Sequence, residues 1–269
     1  MIRHDLLRTD AADTARGRIT ATQDLSGALA GARFVSENVP ERLEIKQSLF
    51  AELDRLTPPE TILSTNTSSL PITQVARNTK YPERVVGFHW FNPPHLIPLI
   101  EVIRGDRTSV GTMDATYRLA KAIGKSPIRV QKDIPGFVGN RLQRALEREF
   151  FYLERIGACS GADLEIALKQ GLGFRWSVVG PLEHADLAGV DTHAATVALL
   201  FPLLSTDAAP PPLFADLVAK GRLGAKTGAG VYDYGPKDVE RILARRNAML
   251  IDFIKVLKKH PTLRDPSSA

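Results

Sequence analysis

His89 stands in Gly87-Phe88-His89-Trp90-Phe91-Asn92-Pro93-Pro94, at the end of a β-type run and ahead of two aromatics and an Asn-Pro turn. A lone histidine in such a place is more often a satisfied structural residue than a catalytic one. Here a partner is available, because Glu101 opens Glu101-Val102-Ile103 beyond a proline-broken connection. If that connection folds back, the two side chains can meet. A carboxylate bonded to one imidazole nitrogen fixes the tautomer and favours the charged ring, as general acid–base chemistry requires of a histidine.

Three further segments have residue types suited to a site. Ser64-Thr65-Asn66-Thr67-Ser68-Ser69-Leu70 puts hydroxyls and an amide directly after a β run, at the carboxyl edge where open parallel sheets bind ligands. Its plainer reading is a turn with Ser or Thr as a helix N-cap. In Asp133-Ile134-Pro135-Gly136-Phe137-Val138-Gly139-Asn140-Arg141, Asn140 opens a long helical pattern. It either donates to a substrate oxygen or caps a hinge locally. Gly224-Ala225-Lys226-Thr227-Gly228-Ala229-Gly230 leaves Lys226 free to meet an anion, with spacing unlike a Walker A loop.

The elements that must position these residues alternate between β and α periodicities. β-type runs are expected at Phe34–Val39, Thr61–Asn66, Arg84–His89, Leu99–Ile103 and Ile128–Val130. Helical spacing covers Glu41–Leu56, a short stretch entered near Ser69 and Pro71, and Thr112–Ile123, which stops at Gly124. Alternation of this kind predicts a mainly parallel sheet with helical cover. After Pro135-Gly136 the pattern turns helical, apart from a strand-like Gly230–Tyr234 and a loop at Thr206–Pro212. We therefore expect an α/β domain over 1–132 and an all-helical domain over 133–269.

Composition narrows the function classes. With 43% hydrophobic and 24% charged residues the 269-residue chain reads as globular. No apolar run of about 18 residues suggests a membrane span, and the start shows no secretory h-region. One cysteine, Cys159, excludes an intrachain disulfide and a CxxC metal motif. These features predict a reducing, cytoplasmic setting and no metal centre. The net charge of +5 suits either an anionic ligand or an ordinary basic surface, and no basic stripe with interleaved aromatics suggests nucleic acid. The basic segment Glu240–His260 reads as a closing helix with a solvated face.

In order along the chain, these motifs resemble the 3-hydroxyacyl-CoA dehydrogenase family. The matching residues are Val39-Pro40-Glu41 with Lys46, Asn66–Leu70, Gly87–Pro93, Glu101–Ile103, Pro135-Gly136-Phe137 with Asn140-Arg141, Gly180-Pro181-Leu182-Glu183, and Lys226-Thr227-Gly228. The likeness runs from about Arg18 to about Tyr234. It implies NAD as cofactor and an acyl-CoA substrate, with His89 taking the proton of the 3-hydroxyl. Glu101 would orient His89, while Ser68 and Asn140 would bind the developing carbonyl oxygen. Glu41, Lys46, Asn66, Asn92 and Lys226 would touch the cofactor, and the helical part would form a homodimer.

The sequence departs from that pattern in several respects, among them Asn38 in place of a small apolar residue and Trp90 in place of a more common Phe. The family's G-x-G-x-x-G fingerprint has no match in the 269 residues. The resemblance therefore implies a Rossmann-like sheet truncated at its N-terminus, with Met1–Arg18 as the end of the helix or loop before the third strand. A non-catalytic remnant that dimerises or binds acyl-CoA is the alternative outside enzymes. Gly173–Gly180 is longer than the family's usual link into Gly-Pro. It looks like relatives acting on small hydroxy acids such as carnitine or gulonate, with Arg175 available to pair with a substrate carboxylate.

Overall fold

The computed structural model describes residues 8–260. In chain order the helices are α1 (Thr9–Arg16), α2 (Leu25–Leu29), α3 (Leu43–Leu56), α4 (Ile72–Val75), α5 (Val110–Ala122), α6 (Gly139–Arg155), α7 (Gly161–Ile166), α8 (Gly173–Trp176), α9 (Pro181–Ala188), α10 (Val190–Leu200), α11 (Pro212–Ala219) and α12 (Asp238–Lys259). The strands are β1 (Phe34–Glu37), β2 (Ile62–Thr65), β3 (Val85–Trp90), β4 (Leu99–Ile103) and β5 (Ser126–Val130). Two compact units divide between Arg141 and Leu142.

Local chemistry sets the ends of these elements. Apolar residues at Leu43, Leu49, Phe50, Leu53 and Leu56 give α3 one buried stripe, and Pro58-Pro59 forbid its continuation. Ser109 caps α5 by accepting from the Thr112 N–H at 3.1 Å. Gly124, at φ 78, turns the chain out of that helix toward β5.

In the first unit the sheet runs β1-β2-β3-β4-β5. β1, β2 and β3 are parallel, β4 is antiparallel to β3, and β5 is parallel to β4. The sheet is thus mostly parallel, with its last two strands reversed. Reversal follows from the short proline-containing return between β3 and β4, which is too brief for a parallel crossover. Central β3 is covered on both faces. Phe50, Leu63, Ile72, Val85 and Ile103 form one core cluster, and Val86, Phe88, Ile100, Val102 and Met113 form the other.

One expectation needs adjustment. Gly230–Tyr234 is not a strand but forms only isolated bridges, Gly224 to Ala229 and Ala229 to Asp233. Glycines at positive φ, Gly224 at 89 and Gly228 at 74, curl the segment too tightly for a ladder. Within Met1–Arg18, Thr9–Arg16 is a helix, and the reading of Met1–Leu7 lies outside the described residues. In the second unit, α9, α10 and α11 contain no buried residue. Leu182, Leu187 and Phe201 on these and adjoining turns are 85%, 72% and 66% exposed.

Candidate active site

His89 and Glu101 are directly opposed in the antiparallel β3–β4 pair, so they share one face of the sheet. Nδ1 of His89 lies 2.8 Å from Oε2 of Glu101. A carboxylate only accepts, so Nδ1 carries the proton and donates to it. Nε2 is left to accept from the Ser68 hydroxyl at 3.1 Å. His89 is 3% exposed and Glu101 fully buried, whereas Ser68 opens to solvent. A proton can therefore pass between the exterior and the imidazole along a single bonded line.

Glu101 is fixed from a second direction. Its Oε1 accepts from the backbone N–H groups of Val138 at 3.0 Å and Gly139 at 2.8 Å, where α6 begins. Burial by itself would raise the Glu101 pKa. The His89 bond and the two N–H groups outweigh burial and hold the carboxyl below its ordinary 4.5. The two N–H groups converge because the preceding backbone is left-handed, at Gly136 (φ 77) and at buried Phe137 (φ 50). A non-glycine residue at such a φ costs about 1–2 kcal/mol. Phe137 and Phe91 wall the imidazole, with ring centroids 5.8 and 4.7 Å from that of His89.

The turn that presents Ser68 is held by Glu41. Its Oε1 accepts from the Thr67 hydroxyl at 2.5 Å, the Ser68 and Ser69 N–H groups at 3.0 and 3.2 Å, and the Ser69 hydroxyl at 3.1 Å. Burial again opposes ionisation of Glu41, but these donors and Lys46 hold its pKa below 4.5. Asn140 donates to the Ser68 carbonyl oxygen at 3.0 Å, so its observed bond is to the protein backbone. Asn66 accepts from the Trp90 N–H at 2.9 Å and donates to Asn38 at 2.8 Å.

Lys46 is 1% exposed. Its Nζ donates to both oxygens of buried Glu37, at 2.8 and 3.0 Å, and to the Val39 carbonyl. The ammonium is therefore spent inside the protein, 3.4 Å from Glu41, and is not presented at the sheet edge. Asn92 is exposed on the connection after β3. Arg175, exposed on α8, and Lys226, exposed in the 225–227 turn, belong to the second unit. Sequence reasoning missed Glu37, Thr67 and Phe91. The sequence signal for Glu37 was an acidic residue within a β run, where burial is costly without a partner.

The donor set at the carboxyl ends of β1–β3 consists of amides and hydroxyls (Asn38, Asn66, Ser68) backed by the Glu41 carboxylate. Such groups fit the amide and ribose of a nicotinamide nucleotide. Among the described residues no group of three or more His, Cys, Asp or Glu side chains gathers as a metal site would.

Comparison with known proteins gives a consistent result. The 3-hydroxyacyl-CoA dehydrogenase NAD binding domain matches residues 2–134, and the C-terminal domain of the same family matches residues 136–234. The chain is 36% identical over 242 residues to 5-formyl-3-hydroxy-2-methylpyridine 4-carboxylate 5-dehydrogenase of Mesorhizobium japonicum, covering 90% of this chain and 78% of that protein. It is 41% identical to the L-carnitine dehydrogenase of Streptomyces coelicolor over 64% of this chain, but spans only 54% of that longer protein. A crystal structure of the pyridine-carboxylate dehydrogenase, described as an NAD+-dependent dismutase, superposes with a TM-score of 0.85 at 33% identity, over 93% of this chain and 88% of that one.

Proposed function

The chain belongs to the 3-hydroxyacyl-CoA dehydrogenase family, and on that premise we propose that it interconverts an L-3-hydroxyacyl-CoA and its 3-oxoacyl-CoA with NAD. The observation that carries this reading is the bonded line from exposed Ser68 through His89 to buried Glu101. When bound, NAD supplies the acceptor for the hydride leaving C3. His89 Nε2 takes the proton of the 3-hydroxyl, entering where it now meets Ser68. Glu101 holds Nδ1 protonated and balances the charge that the ring gains. The Ser68 hydroxyl binds the oxygen as it becomes a carbonyl, and Asn140 steadies the Ser68 backbone or turns its amide to that oxygen. Glu41, Asn66, Asn92 and Lys226 are the proposed cofactor contacts, with Lys46 acting through Glu41. A homodimer in a reducing, cytoplasmic setting belongs to the same reading.

A second substrate reading has specific support. The pyridine-carboxylate and carnitine dehydrogenases act on small molecules without CoA in their names, and exposed Arg175 suits a free carboxylate. One experiment addresses both readings: NADH oxidation by the parent chain with acetoacetyl-CoA or with a small 3-oxo acid, repeated with His89→Gln and Arg175→Ala. The expected result is turnover by the parent and a loss of about 100- to 10,000-fold in His89→Gln with its fold kept. Unchanged turnover in His89→Gln would sink the assignment. A KM increase in Arg175→Ala confined to the free acid would select the second substrate class.

A further inference from the structure

The connection between β3 and β4, Phe91–Pro98, has three prolines in eight residues, yet it must return in register to set Glu101 opposite His89. Proline offers no N–H, so the connection can satisfy few of its own carbonyls. The Pro93 carbonyl accepts from the Leu96 and Ile97 N–H groups, both at 3.0 Å. The Pro94 and Ile97 carbonyls accept instead from Lys125 Nζ, the latter at 2.8 Å. The same ammonium lies 5.2 Å from the centroid of Trp90, the residue after His89. The next residue, Ser126, donates its N–H to the Pro98 carbonyl at 2.9 Å.

Lys125 is itself well placed for this. Gly124 ends α5 in the left-handed region, and the Lys125 N–H donates back to the Ala120 carbonyl at 3.0 Å. One cation thus spans both ends of an otherwise poorly tied return. Phe91, at the near end of that return, packs on the His89 ring. We infer that Lys125 is a positioning residue: its ammonium clamps the β3–β4 connection, and through Phe91 it sets the orientation of His89 against Glu101. The inference rests on the proposed role of His89, although the clamp itself can be tested without turnover. Partial burial works against the Lys125 charge and holds its pKa below 10.5.

The test compares Lys125→Met and Lys125→Arg with the parent in the full chain. The His89 ring nitrogens are followed by NMR and assigned by their disappearance in His89→Gln. Arginine keeps the charge and reach but not the compact geometry. In Lys125→Met the His89 signals should move or broaden at an unchanged circular dichroism spectrum, and kcat/KM should fall roughly 10- to 100-fold. Lys125→Arg should recover part of both. If the methionine variant does not fold, Lys125→Gln takes its place. His89 signals that coincide with the parent's overturn the clamp, as does unaltered kcat/KM alongside shifted signals. A parent without turnover counts against the proposed reaction, and the NMR comparison still decides the clamp.

Discussion

Glu101 is fully buried and has both oxygens occupied, by an imidazole on one side and two backbone N–H groups on the other. Its carboxyl is held below 4.5 against the effect of burial. A carboxyl whose pKa is depressed by folding adds stability above its unfolded pKa, and that stability is lost as pH falls through the folded value. Urea unfolding of the parent should therefore show stability falling below about pH 5, with a shallower fall in Glu101→Gln. At neutral pH the same variant should retain its fold and lose most turnover, since a neutral amide cannot balance a protonated His89. An identical acid limb in parent and variant would remove Glu101 as the source of the pH dependence.

At the scale of elements, the site depends on where α6 begins. A Cβ at Gly139 would lie 2.5 Å from Cζ and 2.8 Å from Cε1 of Phe91, the ring that packs on His89. Gly139 also donates the shorter of the two N–H bonds to Glu101. Gly139→Ala is expected to cost about 1–3 kcal/mol of stability, typical of overpacking, and to lower kcat by displacing Phe91. Urea titration and steady-state rates measure the two effects separately. Loss of stability with unchanged kcat would show that Phe91 can move without disturbing His89. The buried Lys46–Glu37 pair is of another kind, because its partners hold β1 and the turn after it rather than the proton line.

For the whole molecule, the second unit's exposed apolar helices are the dominant feature. Leu182 is 85% and Leu187 72% exposed on α9, in a unit whose α9–α11 contribute nothing to a buried core. The proposed homodimer would cover exposed apolar surface of this kind. With the proposed homodimer, light scattering should give twice the 29.5 kDa chain mass, and Leu182→Asp should shift the population toward monomer. A monomeric parent would leave those helices to another partner. Calorimetry with NADH belongs to this scale too, because the family's NAD-binding match spans residues 2–134 while no G-x-G-x-x-G occurs in the chain. Micromolar binding is expected, and its absence from a folded sample would argue for the non-catalytic reading.

Much of this was legible in the residues themselves. The five strands match β runs legible within a few positions, because short runs rich in β-branched and apolar residues, and the glycine or proline breaks beside them, are local properties. His89 and Glu101 could be paired from their own motifs, whereas the role of Ser68 and Asn140 beside them came from the family resemblance. The sequence left open which groups tie down the β3–β4 return, since its carbonyls are met by Lys125 and Ser126 well downstream. It could not show that Lys46 faces inward, because helical spacing gives a face but not the buried acid waiting there. Nor could it assign the N–H groups of Val138 and Gly139 to Glu101, for backbone donors have no side-chain signature and their aim is set by the left-handed turn at Gly136 and Phe137. Residue types thus determined which chemistry was present. The tertiary structure decided which groups meet, because those contacts join residues nine or more positions apart and depend on register, burial and backbone direction together.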